Sequence, residues 1–139
     1  MPELLERKVP TDTAVTAVIV LGVEAMQGTL TIGDFQVAVQ RLERVVRPWD
    51  SVVNIAPRTV GVLCTSLSNA REVDAITRRL AEVVRAPMAV GDEVRQVGVC
   101  VGHAILQPGE DHTAAFARAR EAMRQMRSAR QTLVVPDPR

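Results

Sequence analysis

The chain has 139 residues, 47% of them hydrophobic, and a formal net charge of +1. That length suits one domain with a real core, and the near-balance of charge argues against a polyanion-binding surface or a disordered tail. Two Phe, one Trp and no Tyr leave almost nothing from which to build the base-stacking platforms used for single-stranded nucleic acid, so no nucleic acid is expected as a partner.

Met1 to Asp12 is polar, carries Pro2 and Pro10, and reads as a leader over residues 1–12. Ala14 to Gly22 is a β-branched run that predicts a strand buried on both faces. The apolar stretch from Ala14 to Val23 is too short to cross a bilayer and follows a charged segment, so a cytoplasmic chain without membrane insertion is expected. Gly33-Asp34 then opens a helix with Phe35, Val39, Leu42 and Val46 on one face. Asp34 suits the positive end of the helix dipole, and Pro48 places the boundary just after Arg47.

Val52, Val53 and Ile55 are β-formers, Ala56-Pro57-Arg58-Thr59 interrupts them, and Val60 to Cys64 resumes, which predicts a hairpin. Asn69 with Glu72 resembles a capping box for a helix to about Arg85 that buries Val73, Ile76, Leu80 and Val83 or Val84. Met88 to Val90 and Val94 to Leu106 read as strands around the turn Gly91-Asp92. Asp111-His112-Thr113 starts a last helix with Phe116, Ala119, Met123 and Met126 as its buried stripe, and Gln131 to Val135 reads as a final strand. Cys64 and Cys100 lie inside apolar runs, as buried reduced thiols do. His103 and His112 share no ligand-like spacing with them, and no Walker loop, Gly-x-Gly-x-x-Gly motif or Ser-His-Asp arrangement occurs, so no metal or other cofactor is expected.

The order is thus β-α-β-β-α-β-β-α-β, an α+β arrangement with helices packed on an antiparallel-rich mixed sheet. Arg47-Pro-Trp-Asp50 stands just ahead of the central hairpin, Gly33-Asp34 opens the helix before it, and Val97-Gly-Val-Cys-Val-Gly102 and Ala119 to Arg127 follow. In that order and spacing the chain resembles GGDEF domains, the diguanylate cyclases that join two GTP molecules into cyclic di-GMP. The resemblance covers roughly Thr13 to Val135 and implies a ferredoxin-like palm over residues 13–135, with a tail at 136–139.

The family's hairpin turn bears Gly-Gly-Asp/Glu-Glu-Phe, whereas Ala56-Pro57-Arg58-Thr59-Val60 stands here, and Gly22 replaces the carboxylate that closes the family's first strand. The family reaction needs Mg²⁺ held by hard oxygen ligands, and Arg58 is a cation where a ligand is needed. Pro57 has no N–H to offer a nucleotide. The resemblance with these replacements implies no catalytic and no metal-binding residues, and a chain that is not an enzyme. Glu24 and Asp34 read as solvated or capping carboxylates, and Arg127 stands where the family has a phosphate-contacting Lys.

Arg47 and Asp50 match the spacing of the Arg-x-x-Asp product-binding site of the family. A guanidinium fork reads the O6/N7 edge of guanine, and a carboxylate accepts from its N1–H and N2–H₂. The family's further arginine maps onto Arg78, with Arg79 beside it, and Trp49 lies inside the motif. The resemblance therefore implies a cyclic di-GMP receptor using Arg47, Trp49, Asp50, Arg78 and Arg79, with a ligand bridging two copies and a protein partner downstream. Two alternatives stay open: Arg47–Asp50 as a surface ion pair in a ligand-free interaction or dimerisation module, and Trp49 as cover for the core edge rather than a stacking surface.

Overall fold

The computed structural model describes residues 14–26 and 28–134; the expected leader at 1–12, Val135 and the tail at 136–139 lie outside the described residues. The elements are β1 (Val15–Ala25), α1 (Ile32–Val45), β2 (Ser51–Ala56), β3 (Thr59–Leu67), α2 (Ala70–Arg85), β4 (Met88–Val90), β5 (Glu93–Arg95), β6 (Val97–Ile105) and α3 (His112–Val134). One sheet has the order β2-β3-β1-β6, and β4 and β5 form a separate hairpin. All pairings in the larger sheet are antiparallel. This is the ferredoxin-like strand order, with β4–β5 inserted before the last strand and α3 added after it.

β1 is central because its side chains can be buried on both sides. Ala17, Ile19, Leu21 and Val23 join one core with Ala38 and Leu42 of α1 and Val73, Leu80, Ala81 and Val84 of α2. Val18 and Val20 join a second core with Ala115, Ala119 and Met123 of α3. The strand's period of two thus sorts neighbouring residues onto opposite helix layers.

Four expectations change, one being that Met126, expected in the buried stripe of α3, is exposed. The final strand at Gln131 to Val135 is replaced by helix as far as Val134. No Gly or Pro stands between Gly109 and Pro136, so nothing stops helix propagation through that β-branched end. The strand expected over Val94 to Leu106 divides at Gln96 into β5 and β6, which belong to different sheets. In α1 the buried residues are Asp34, Ala38 and Leu42, while Phe35 and Val39 are half-buried. The stripe is centred beside the one expected because Asp34, a charged residue, belongs to it.

Asp34 is 1% exposed and forms a capping box with Thr31. Arg95 of β5 grips the same carboxylate, Nε to Oδ1 at 2.8 Å and Nη2 to Oδ2 at 2.7 Å. These bonds from Arg95, aided by the Thr31 amide, hold the carboxyl at about 2, below its ordinary 3.8. Glu110, bonded by Arg118, is likewise lowered to about 2. A depressed folded value means that the stabilisation is complete above about pH 4 and is lost as the pH falls towards 2. Thermal melts between pH 5 and 2 should therefore show a decline in wild type. In Asp34→Asn they should start about 2 kcal/mol lower at pH 6 and decline less steeply. Parallel wild-type and Asn curves would mean that the pair is not coupled to folding.

Candidate ligand-binding site

Arg47 follows the end of α1, and the hairpin of β2 and β3 brings Asp50 and Thr65 to it. The Asp50 amide donates to the Arg47 carbonyl at 2.9 Å, and the Arg47 amide donates to Asp50 Oδ2 at 3.0 Å, closing a tight loop around Pro48-Trp49. The side chains then pair as a fork: Nε to Oδ2 and Nη2 to Oδ1, both at 3.1 Å. Nη2 also donates to the Thr65 carbonyl at 2.7 Å. The Asp50 side chain is 4% exposed and that of Arg47 28%. The Arg47 guanidinium carbon lies 5.2 Å from the centroid of the Trp49 ring, and Trp49 is 57% exposed.

These contacts leave one edge of the guanidinium open. Among the described residues Nη1 of Arg47 makes no hydrogen bond, and Arg47 lines a shallow depression of about 400 Å³ together with Glu43, Val46, Pro48, Asp50 and Val52. Arg47, Trp49 and Asp50 are thus brought together. Arg78 and Arg79 sit on the exposed side of α2, and among the described residues neither has a hydrogen bond or ion pair with Arg47 or Asp50.

A second concavity, about 660 Å³, lies at the far end of β2. Val23, Glu24, Ala25 and the turn Ala56 to Thr59 form one side, and Arg120, Arg124 and Arg127 of α3 the other. Arg58 has φ +61°, and its carbonyl accepts from the Val23 amide at 2.9 Å, which fastens the turn to β1. Arg127 Nε bonds Glu24 Oε2 at 3.1 Å. Gly22 matters here through its missing side chain: a Cβ would stand 2.6 Å from Arg127 Nη2. Sequence reasoning singled out Arg58 and Arg127 separately but missed Arg120 and Arg124. The signal was present, since residues 120, 124 and 127 follow the i, i+4, i+7 spacing of a single helix face.

Both cysteines are buried, as expected from their apolar surroundings, and the Cys100 thiol donates to Glu24 Oε2 at 3.1 Å. Burial pushes the Cys64 thiol up to about 12.

The GGDEF-domain model of diguanylate cyclases matches residues 32–132. The chain belongs to the GGDEF domain family. This GGDEF domain also shares its fold with solved relatives. A sensory box/GGDEF family protein from Caulobacter crescentus is 20% identical, with a TM-score of 0.73 over 88% of this chain and 85% of that one. The GGDEF domain of PA1120 (YfiN or TpbB) from Pseudomonas aeruginosa is 19% identical, with a TM-score of 0.68 over 88% and 82% of the two chains. The GGDEF domain of DgcB from Caulobacter crescentus, solved in complex with c-di-GMP, is 14% identical, with a TM-score of 0.65 over 88% and 78%. No curated protein matches the chain.

Membership of a diguanylate cyclase family overturns the expectation that this chain is not an enzyme. The replaced turn was the ground for that expectation, and a changed turn is a local difference inside a family whose domains are cyclases. Among the described residues no helix is long and apolar enough to cross a membrane.

Proposed function

We propose that this GGDEF domain binds cyclic di-GMP at Arg47 and Asp50 and passes the bound state to a partner protein. The observation that carries the reading is the open Nη1 edge of an arginine already fixed in place by Asp50 and Thr65. A side chain held in this way loses little conformational freedom when it meets a guanine, so more of each hydrogen bond is realised as affinity. The exposed ring of Trp49 lies 5.2 Å from the Arg47 guanidinium carbon, and in this reading it flanks a planar base. Arg78 and Arg79 would add cations for the phosphates, and a ligand bridging two copies would recruit the same residues twice. The DgcB domain with c-di-GMP bound supports the ligand class.

Trp49 is the only tryptophan in the chain and therefore a built-in reporter. Titration with cyclic di-GMP should change its fluorescence saturably, with a Kd in the micromolar range, about −8 kcal/mol. A parallel arm with GTP and Mg²⁺ would report turnover. A flat fluorescence signal and a flat calorimetric trace up to about a hundred times that concentration would sink the reading. They would favour the interaction module instead, for which the mutual pairing of Arg47 and Asp50 is the supporting observation.

A further inference from the structure

A sulfur fastens the last helix to the sheet. Among the described residues β6 ends its sheet, so the outward amide of Val101 meets no ladder partner on that side. It donates instead to Sδ of Met126 on α3 at 3.2 Å. A thioether is a weak acceptor, and it is open to oxidation to the sulfoxide. Met126 is 37% exposed, so a small oxidant reaches it from solvent. We propose that Met126 is a sulfoxidation site for hydroperoxides, and that its oxidation loosens α3 from β6.

The methionines differ in what oxidation can reach and what it can undo. Met88 and Met123 are each 2% exposed and belong to the two cores, out of reach of a dissolved oxidant. Met26 is 61% exposed, but its sulfur lies over Gly98 and accepts no hydrogen bond among the described residues. Oxidising Met26 therefore breaks nothing in the fold. Among the described residues Met126 alone joins access to a bond that holds two elements together.

A thioether sulfur carries two lone pairs. The Val101 N–H engages one, and the other is left for the oxidant. That pair attacks the terminal oxygen of the hydroperoxide. The S–O bond forms as the O–O bond breaks, and the proton of the attacked oxygen passes to the leaving oxygen, giving water or an alcohol. Sulfur loses two electrons and the peroxide gains them. Attack on one side of a sulfur held by the amide makes one sulfoxide epimer, whereas a freely turning methionine makes both. The product no longer fits its place. A sulfoxide offers its oxygen as the acceptor, and that oxygen forms on the side turned away from Val101. Bringing it to the amide needs space between α3 and β6. The helix cannot give that space without lifting Ala119 and Met123 out of the second core, so the bond is lost and the amide is left unpaired. Arg127, bonded to Glu24 of β1 at 3.1 Å, is carried on the same turn of helix, so both ties of this turn to the sheet loosen together.

The experiment treats the whole chain with hydrogen peroxide and follows sulfoxide at each methionine by peptide mass spectrometry. The two methionine sulfoxide reductases, each of which accepts one epimer, then read the stereochemistry. Thermal melts before and after oxidation are recorded for wild type, Met26→Leu and Met126→Leu. Leu keeps the volume of Met but offers the amide no acceptor, so Met126→Leu should start with a Tm about 3 °C lower and fall no further on oxidation. Wild type and Met26→Leu should each lose about 3 °C on oxidation and regain it on reduction, with one epimer making up most of the Met126 product. Oxidation of Met26 with Met126 spared, equal amounts of the two epimers at Met126, or an unchanged Tm in oxidised wild type would overturn the proposal. So would a fall of Tm in Met126→Leu equal to that in wild type.

Discussion

Gly102→Val is expected to destabilise the domain by about 3 kcal/mol or more, visible as a Tm lowered by about 10 °C or more. Gly102 lies on β6 with α3 directly above it, and a Cβ there would run into the Ala119 carbonyl oxygen and the Met123 amide nitrogen. Those are backbone atoms in the middle of a helix, so no rotamer change can relieve the contact. The helix must lift as a body, and it would take Ala115, Ala119 and Met123 out of the second core. Arg120, Arg124 and Arg127 would move with it. Gly33→Ala is the matching control, because its nearest neighbour, the Thr31 hydroxyl, would be 3.7 Å from the new methyl. It should be neutral or raise stability by about half a kcal/mol. Comparable losses in both variants, measured by chemical denaturation, would contradict the close helix–strand contact as the cause.

The elements built from strong local signals were legible in the sequence. The β-branched run of β1, the break at Ala56 to Thr59 and the capping residues ahead of α2 all stand where expected, with Asn69 accepting from the Glu72 amide at 3.0 Å. The misreadings arose from context outside the local window: a partner distant in sequence for Asp34, and a helix already under way for Gln131 to Val134. Asp34 looks like a capping carboxylate from its neighbours, and it is one. Its burial is possible only because Arg95 arrives from a hairpin 61 residues later. Gln131 to Leu133 has strand-like content, but it continues a helix already running for five turns.

The candidate sites divide in the same way. Arg47-Pro-Trp-Asp50 is local, and its side chains do meet. Thr65, which holds the arginine from across the hairpin, was not foreseen. The arginine cleft gathers β1, the β2–β3 turn and α3 into one place, and no window of sequence contains all three. The replaced turn was read as loss of a metal ligand. In the fold it is also one side of a cationic cleft, a property that neither Arg58 nor the helix arginines display alone.

Arg47→Ala should have two effects that a third measurement separates. Affinity for cyclic di-GMP should fall about a hundred-fold or more, because the guanine-reading edge is removed. Stability should fall by about 2 kcal/mol, because the Asp50 carboxylate loses two donors at a buried position and the Thr65 carbonyl loses one. Loss of binding in this variant alone could therefore reflect a loosened loop. Arg47→Lys discriminates. An ammonium can still pair with Asp50 and recover much of the Tm, but once paired it has no second nitrogen like Nη1 to offer a guanine. A recognition role for Arg47 requires that Lys restore stability while binding stays as weak as in the Ala variant, both measured well below either Tm. Wild-type affinity in Arg47→Lys would mean that Arg47 only staples the loop to β3, and the guanine-reading group would have to lie elsewhere on this face.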